Sequence, residues 1–405
     1  MARVLLTDGE QRACLAATRS LGRAGHEVLV ASSDQRSLAA ASRFCRLARR
    51  TPSLASDADS FRAAVERIID EDGVDAVIPV TDAATEALLA IRETRPSVRL
   101  LAAPTEAYSI ASDKARLMEI ARDLGVPVPR QVRIESPPAV SAQDVDQVVA
   151  WAADVGFPVI VKPHRSVVLH DGSIQKFSVR TAQDSNELVE LLAGLPSRAY
   201  PVLVQERIQG QGIGAFLLTD EGSTLASFGH RRLREKPPSG GVSVYRESVE
   251  LRPDVLASSE RLLRHLRWTG VAMVEFREES RSGVPYLMEI NGRLWGSLQL
   301  AIDAGVDFPR LLLDVASRRP VSPVEDYRIG VRSRWLWGDV DHLLMMMRDS
   351  HRYRREDPLL PGRFRTLANF LVPWRPGDRL EVLRIADMGP FLRESTKWLA
   401  AVLRG

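Results

Sequence analysis

Three oxygen-bearing side chains, those of Glu275, Glu289 and Asn291, lie in two apolar segments in the second half of the chain. The segments cover 270–276 and 286–291, and the polar stretch between them suits a hairpin. Side chains alternate between the faces of a strand, so Glu289 and Asn291 share a face, and a turn midway between the acids sets Glu275 opposite Glu289. Two facing carboxylates repel unless a cation lies between them. Each acid taken alone could equally be an ordinary solvent-facing residue on a strand edge. Together with the amide of Asn291, the two acids predict an all-oxygen Mg²⁺ site, with Mn²⁺ as the alternative ion.

Two lysines lie upstream where a cation can meet a phosphate. Lys162 ends an apolar run and precedes Pro163, which stops regular strand pairing. Lys114 opens a helical segment that Ser112 or Asp113 can cap, and the backbone donors of a helix start also favour anions. Each lysine taken singly is as readily a solvated side chain. We interpret both as candidate phosphate contacts.

Two further segments carry weaker signals. The segment 202–210 runs from an apolar strand into Gln205 and Glu206, where the backbone and a carboxylate would suit an adenine edge and a ribose. The stretch 229–241 joins clustered cations to a glycine pair. It is either a solvated surface or a loop that presents positive charge to a phosphoryl group, and in the second case Arg231 and Lys236 are the candidates.

The elements that must position these residues fall into three regions. The first hundred residues alternate strand-like and helix-like segments, which predicts a parallel sheet covered by helices. Its first turn, 7–12, holds a single glycine and so lacks the three-glycine dinucleotide fingerprint. Strands dominate from about residue 157 to 320, which indicates an α+β body. After about residue 320 the composition shifts towards Arg, Trp, Leu and Met in long helical stretches.

The composition excludes several classes of function. The 405 residues include 55 Lys and Arg against 52 Asp and Glu, and the net charge of +3 lacks the strong field that binding to nucleic acid requires. Cys14 and Cys45 are too few for a disulfide framework or a cysteine metal site. No apolar run approaches the ~18 to 20 residues that span a bilayer, and the chain starts on a strand rather than a signal peptide. We therefore expect a cytoplasmic protein without a nucleic-acid partner or a membrane span.

These motifs, in this order, resemble the ATP-grasp superfamily and specifically its carboxylate–amine ligase-like members. The resemblance covers roughly residues 3 to 319, and its specificity comes from order and spacing, since no single motif is specific. The residues that carry it are Ser112-Asp113-Lys114, Val161-Lys162-Pro163, Val204-Gln205-Glu206, Val274-Glu275-Phe276 and Met288-Glu289-Ile290-Asn291-Gly292-Arg293.

The resemblance implies a fold and a division of the chain. A Rossmann-like α/β domain would cover residues 1–110. An α+β ATP-grasp body would cover 111–320, with the nucleotide between its two subdomains, and a mainly helical extension would cover 321–405. The loop ends 8–12 and 81–82 of the first domain are expected to face the nucleotide cleft and to set substrate specificity.

The resemblance also implies roles for the motif residues. Lys114 and Lys162 would contact the phosphates of ATP, and Gln205 with Glu206 would hold the adenosine. The two acids and Asn291 would ligate magnesium, and Arg293 would steady a phosphate or an acyl phosphate. The family's glycine-rich loop is here the segment 164–175, which holds only Gly172; a lid over the phosphates is still expected.

The implied activity is an ADP-forming carboxylate–amine ligase that joins a small carboxylic acid, through an acyl phosphate, to an amine such as an amino acid. Two alternatives stay open: an ATP-grasp enzyme with a non-amine acceptor, and a catalytically silent ATP-binding regulatory or scaffold protein. The C-terminal extension is expected to use its aromatic residues mainly as core, among them Trp335, Trp337, Trp374 and Trp398. Its alternative roles are a cover over the acceptor site, a homodimer surface or a contact with an anionic surface.

Overall fold

The computed structural model describes residues 1–137, 142–357, 359–372 and 377–404; Trp374 lies outside them. The N-terminal strands are β1 (Arg3–Leu6), β2 (Glu27–Ser32), β3 (Leu47–Arg50), β4 (Ala76–Ile78) and β5 (Arg99–Leu100). The accompanying helices are α1 (Arg12–Arg23), α2 (Ala58–Asp72), α3 (Asp82–Leu88), α4 (Ile91–Thr94), α5 (Thr105–Ser112) and α6 (Lys114–Asp123). The strands pair in the order β3-β2-β1-β4-β5, and every pairing is parallel, which confirms the parallel sheet predicted from the alternation.

Local sequence explains where the key helices begin. The side chain of Asp113 accepts hydrogen bonds from the backbone N–H groups of Ala115 and Arg116, so Asp113 caps α6 directly before Lys114. Thr81 caps α3 in the same way through the N–H of Ala84. Both caps place charged side chains at a helix start.

A small antiparallel sheet follows. Its strands are β6 (Gln131–Ile134), β7 (Val159–Pro163), β10 (Arg180–Ala182) and β11 (Val202–Glu206), and its helices are α7 (Ala142–Val155) and α8 (Ser185–Gly194). They pair in the order β10-β7-β11-β6. Between β7 and β10 the chain forms a separate hairpin of β8 (Val167–His170) and β9 (Ser173–Lys176).

A seven-stranded sheet forms the largest layer. Its strands are β12 (Gly210–Asp220), β13 (Ser223–Lys236), β14 (Val242–Val249), β15 (Gly270–Glu279), β16 (Pro285–Asn291), β17 (Arg332–Arg334) and β18 (Asp378–Leu380). Their order is β16-β15-β12-β13-β14-β17-β18, and only the last pairing is parallel among the described strands. Its helices are α9 (Pro253–His265), α10 (Leu298–Ala304), α11 (Phe308–Ala316), α12 (Leu336–Glu356), α13 (Arg363–Leu371) and α14 (Gly389–Val402).

The segment after residue 320 therefore contributes two short strands to the large sheet besides its helices. The sequence did not predict these strands, which are three residues long each. The finer description of the first region as Rossmann-like and the domain limits at 110 and 320 stay predictions. In the described parts of the chain, no helix combines the length and the apolar character needed to cross a bilayer.

Two hydrophobic cores join the layers around the site. One face of the parallel sheet and α1 pack with Phe216 and Phe228 of the large sheet and with α10 and α11. The other face packs with α2, α3 and the β8–β9 hairpin. The start of α1, the start of α3 and the hairpin are thereby held beside the strands that carry the predicted acids.

Candidate functional site

The predicted acids face each other. Glu275 on β15 and Glu289 on β16 are direct partners in the antiparallel register, as the hairpin prediction required. Asn291 lies two residues beyond Glu289; its Nδ2 donates to Glu289 Oε1 at 3.0 Å, and its Oδ1 accepts from Arg293 Nη2 at 3.2 Å. A half-turn of this amide would present its oxygen to the acids. The structure thus brings four of the predicted residues together.

The two carboxylates have different electrostatic surroundings. Burial raises the pKa of Glu275, and Arg232, whose Nη2 lies 2.7 Å from Glu275 Oε1, opposes that rise. Burial also works against the Glu289 anion, but Lys114, Asn291 and Lys162 outweigh it and hold the pKa of Glu289 below its ordinary value. Cations therefore surround the acid pair on both sides.

Both predicted lysines reach this cluster. Lys162 is the penultimate residue of β7 and is buried, and its burial lowers the pKa of its ammonium to about 8. Lys114 is buried at the start of α6, where its Nζ donates to Ser166 Oγ at 2.7 Å. Ser166 is in the loop directly before the hairpin. The lysines bring two positive charges from separate elements to one side of Glu289.

Arg293 connects the cluster to the N-terminal sheet. Its Nε donates to Asp82 Oδ2 at 2.7 Å, at the start of α3. Burial would lower the pKa of Arg293, yet Asp82 and Glu289 raise it, so the guanidinium stays charged. The expectation that the loop end 81–82 faces the cleft agrees with this contact.

Gln205 and Glu206 lie on the small sheet, where they make local contacts. The amide of Gln205 is buried and donates to the Gln131 side chain. Glu206 ends β11, and its Oε1 accepts from the backbone N–H of Arg130 at 2.8 Å. Among the described residues these contacts do not connect with the acid pair, and an adenosine-binding role for the segment stays a prediction.

In the basic stretch, the structure places Arg232 rather than the predicted Arg231 beside the acids. Arg231 points away from the acids, because its Nη2 pairs with Glu247 at 2.6 Å. The next residue, Arg232, is the one that contacts Glu275, and it also pairs with Glu235 at 2.9 Å. Neighbouring residues of β13 face opposite sides of the sheet, but the sequence alone does not show which of the two sides carries the acids.

Lys236 is not in the acid cluster either. Its Nζ forms an ion pair with Asp341 on α12 and lies 5.6 Å from the ring centre of Trp335. Register shifts between Arg232 and Glu235 displace the end of β13, so that strand alternation no longer carries through to Lys236. Lys236 attaches the C-terminal helices to the large sheet.

A cavity of about 200 Å³ opens beside the acid pair. We call it the acid-side pocket, and its walls include Arg12, Arg232, His230, Ser243, Glu275 and Glu289. A second cavity of about 40 Å³ lies on the other side of Glu289, towards Asp82, Lys114 and Ser166. The acids thus separate two cavities, one near the predicted phosphate contacts and one near α1 and the large sheet.

The donor set fits a hard divalent cation. Two carboxylates paired across a hairpin, with an amide beside them, offer only oxygen ligands once the amide turns, which is the chemistry that Mg²⁺ prefers. No group of three or more His, Cys, Asp or Glu in the described residues could hold a metal. A metal here would therefore take two protein carboxylates and complete its coordination with the amide, water or phosphate oxygens.

The segment predicted as a lid is an ordered hairpin that packs on the N-terminal unit. Ile174 is buried in the core formed with α2 and α3, and Val167 and Leu169 pack against it. The backbone N–H of Ala58 donates to Gly172 O at 2.7 Å. Apolar contacts with the N-terminal unit, rather than glycine flexibility, hold this segment beside Lys114.

A match with a family model covers the part of the chain that carries the acids. The model, described as "ATP-grasp in the biosynthetic pathway with Ter operon", matches residues 198–337. That range includes Arg232, Glu275, Glu289, Asn291 and Arg293, but Lys114 and Lys162 lie outside it.

Whole proteins also resemble this chain. A D-alanine–D-alanine ligase from Gloeobacter violaceus is 27% identical over 234 residues, which make up 52% of this chain and 70% of that protein. A biotin carboxylase structure from Campylobacter jejuni has a TM-score of 0.65 at 15% identity, over 82% of this chain and 74% of that one. An N5-carboxyaminoimidazole synthetase structure from Staphylococcus aureus has a TM-score of 0.64 at 13% identity, over 87% and 86%. At these identities the two structures show the fold alone.

Proposed function

We propose that the chain is a member of the ATP-grasp superfamily and acts as an ATP- and Mg²⁺-dependent ligase that forms ADP, which the family-model match and the D-alanine–D-alanine ligase relative support. It would activate a small carboxylic acid as an acyl phosphate and transfer the acyl group to an amine. The name of the D-alanine–D-alanine ligase relative supports an amine acceptor.

One observation carries the proposal: Glu275 and Glu289 lie directly opposite each other and are ringed by Lys114, Lys162, Arg232 and Arg293. Two facing acids are unfavourable unless a cation compensates them. Lys114 and Lys162 add positive charge beyond the Arg232–Glu235 and Arg293–Asp82 pairs, and this charge suits the phosphates of a nucleotide. A purely structural ion-pair cluster would not need two lysines from separate elements in addition to two arginines.

Each residue has a role in the proposed reaction. Bound Mg²⁺, held by Glu275, Glu289 and Asn291, would neutralise negative charge on the phosphate oxygens. Lys114 and Lys162 would hold the phosphates of ATP. The substrate carboxylate oxygen then attacks the γ-phosphorus, and the bond to the β-phosphate oxygen breaks to release ADP.

The second step needs positioning and exclusion of water rather than a protein nucleophile. The amine attacks the acyl carbon, inorganic phosphate leaves with the electron pair of the C–O bond, and the proton that the amine loses passes to the departing phosphate. Arg293, fixed by Asp82, would stabilise the negative charge on the acyl oxygen as the amine adds. The hairpin 167–176 would exclude water that would otherwise hydrolyse the acyl phosphate.

The test is release of ADP from MgATP with pools of carboxylic acids combined with pools of amines. We expect release that requires both an acid and an amine. The variant Glu289→Gln should lower this rate by about a hundredfold or more while the protein stays folded, because one charged ligand of the metal is lost. Glu278→Gln, a change at a partly exposed acid of β15 that pairs with Arg252, is the matched control and should keep the rate. Wild-type turnover in Glu289→Gln would contradict the metal assignment.

A further inference from the structure

The part of the chain after residue 320 exposes many of its large apolar side chains to solvent. Nineteen such side chains are exposed among the described residues, and thirteen of them lie in this last fifth of the chain. Single exposed apolar residues are normal, but a contiguous group marks an interaction site. The clearest group is on α13, where Phe364 is 91%, Leu371 65% and Leu367 38% exposed. We call these three residues the apolar stripe.

Contacts with the large sheet fix which side of α13 points inward. Thr366 is buried, and the guanidinium carbon of Arg334 on β17 lies 4.3 Å from the ring centre of Phe370. Arg334 Nη2 also donates to the carbonyl oxygen of Phe370 at 3.3 Å. At about 100° per residue, Thr366 and Phe370 share the inward side, and the apolar stripe lies outside it within an arc of roughly 100°. The stripe therefore faces solvent while the helix itself is docked.

Positive charge surrounds the stripe. The segment 348–371 has six arginines against three acids. All six arginines are exposed: Arg348, Arg352, Arg354, Arg355, Arg363 and Arg365. Their excess of three charges equals the net charge of +3 of the whole chain, so the rest of the chain is formally neutral. Arg363 and Arg365 lie on either side of the stripe around the helix, and Arg363 Nη2 donates to Arg348 O at 3.3 Å, which connects α13 to α12.

An apolar stripe between arginines is the pattern of a helix that lies in the plane of a membrane surface, with its apolar side chains among the acyl chains and its cations at the headgroups. We propose that α13 and the end of α12 form a docking surface for a membrane that contains anionic phospholipids. Nine residues are too few to cross a bilayer, so α13 lies on the surface rather than through it. This inference goes beyond the proposed ligase function and does not depend on it.

Two other occupants fit the surface less well. A second copy of the chain, related by a two-fold axis, would place the same arginines of both copies against each other, and facing like charges are unfavourable. A nucleic acid would pair with the arginines but leave the apolar stripe in water, because its backbone offers phosphates and sugars. Anionic phospholipids match both features, since their headgroups attract the arginines and their acyl chains cover the stripe.

The test is co-flotation of the full chain with lipid vesicles. One set of vesicles contains phosphatidylcholine with about 30% phosphatidylglycerol, and the other contains phosphatidylcholine alone. We expect at least tenfold tighter binding to the anionic vesicles at about 0.1 M NaCl, and weaker binding at about 0.5 M because salt screens the arginines. Equal binding to both sets would overturn the anionic assignment. Binding to neither set would overturn the proposal and assign the surface to a protein partner.

Variants test the stripe and the arginines separately. Phe364→Ser combined with Leu371→Ser should weaken binding to the anionic vesicles about tenfold or more, because the apolar contact is lost, and should keep the Tm, because both side chains are exposed. Val179→Ser, at an exposed position between β9 and β10, is the matched control. Arg365→Gln should weaken binding about fivefold, the loss expected for one charge near an anionic surface, whereas Arg67→Gln on α2 should keep it.

Self-association is separated from membrane binding by light scattering of the chain without lipid. A dimer that the double serine variant converts to a monomer would assign the stripe to a second copy and refute the membrane assignment. The same mass in both proteins, together with loss of vesicle binding in the variant, supports it. ADP release by the double variant should equal that of the wild type, because the apolar stripe lines neither cavity beside the acids. Vesicle binding needs no turnover, so failure of the ligase proposal leaves this test intact.

Discussion

Adjacent arginines of β13 have unlike roles because one step along a strand changes the face. Arg232 lies 2.7 Å from Glu275, and this acid raises its pKa even though burial opposes the charge. Arg231 instead lies beside Glu247, which Arg332 also contacts. We therefore propose Arg232, rather than Arg231, as the guanidinium that would meet a transferring phosphoryl group.

We expect the substitution Arg232→Gln to lower the rate of ADP release by about 10²–10³-fold, since a cation aimed at developing charge contributes on that scale. Arg231→Gln should change the rate less than about threefold. Steady-state ADP release under saturating substrates measures both, with the Tm of each variant as the check on folding. An equal loss of rate in Arg231→Gln and Arg232→Gln would contradict the assignment of the functional charge to Arg232 alone.

The difference between these two arginines shows where prediction from the sequence ends at the residue scale. Glu275 and Glu289 could be paired in advance because one hairpin fixes both. The face of Arg232 depends on Gly214, which lies in β12 between β13 and β15. The strand order β15-β12-β13 does not follow the order of the chain. The sequence alone therefore does not show which face of β13 lies on the same side as the acids.

At the scale of elements, the β8–β9 hairpin lies beside Lys114, on the side of the site where the phosphates are predicted. Ser166, directly before it, accepts a hydrogen bond from Lys114, and the backbone N–H of Lys114 donates to His164 O at 2.8 Å. The alternating Val167, Leu169 and the buried Ile174 attach the hairpin to the core of α2 and α3. A lid over 164–175 was expected from the sequence, but its docking surface lies about a hundred residues earlier and has no local signal.

The substitution Ile174→Ser should weaken this docking, because it removes buried apolar surface and places a hydroxyl in a hydrophobic core. We expect more water to reach the acyl phosphate, so that ADP formed per amide bond formed rises from about one to two or more. Parallel measurement of ADP and of the coupled product gives this ratio. Val189→Ser, an exposed position on α8, is the control and should keep the ratio near one. An unchanged ratio in Ile174→Ser would mean that the hairpin does not shield the intermediate.

At the scale of the whole molecule, the last described segment is tied to the first helix. Arg19 on α1 and Asp387 form an ion pair that is 1% exposed on both sides, and Asp387 also accepts from Ser42 and from the backbone N–H of Arg43. Breaking such a buried pair costs about 3–5 kcal/mol. The C-terminal segment is therefore part of the structure that holds α1, and with it Arg12, beside the acids.

These ties could not be predicted, because nothing in a sequence relates an arginine to an acid about 370 residues later. The aromatic composition predicted a core in the extension, and Trp337 stacks on Trp398 with ring centres 4.2 Å apart. Both rings remain partly exposed. The parallel N-terminal sheet, in contrast, could be predicted because alternation of strands and helices is a local pattern.

The Glu394 carboxyl on α14 makes the stability of this arrangement depend on pH. It accepts from Trp335 Nε1 at 2.7 Å, and burial raises its pKa to about 7. The folded state therefore binds more protons than the unfolded state between about pH 4.5 and 7, so this contribution to stability is present at low pH and is lost as pH rises through 7.

Glu394→Gln keeps an acceptor for Trp335 and removes the buried charge. The variant should be more stable than the wild type, and its gain in free energy of unfolding should be about 2 kcal/mol larger at pH 8.5 than at pH 5. This is the size expected for such a pKa shift at a partly exposed group. Urea denaturation at the two pH values measures the free-energy difference between variant and wild type. Glu190→Gln, at an exposed position, is the control, and its difference from the wild type should be the same at both pH values. A pH-independent difference for Glu394→Gln would contradict this, because it would mean that burial does not raise the pKa of the Glu394 carboxyl.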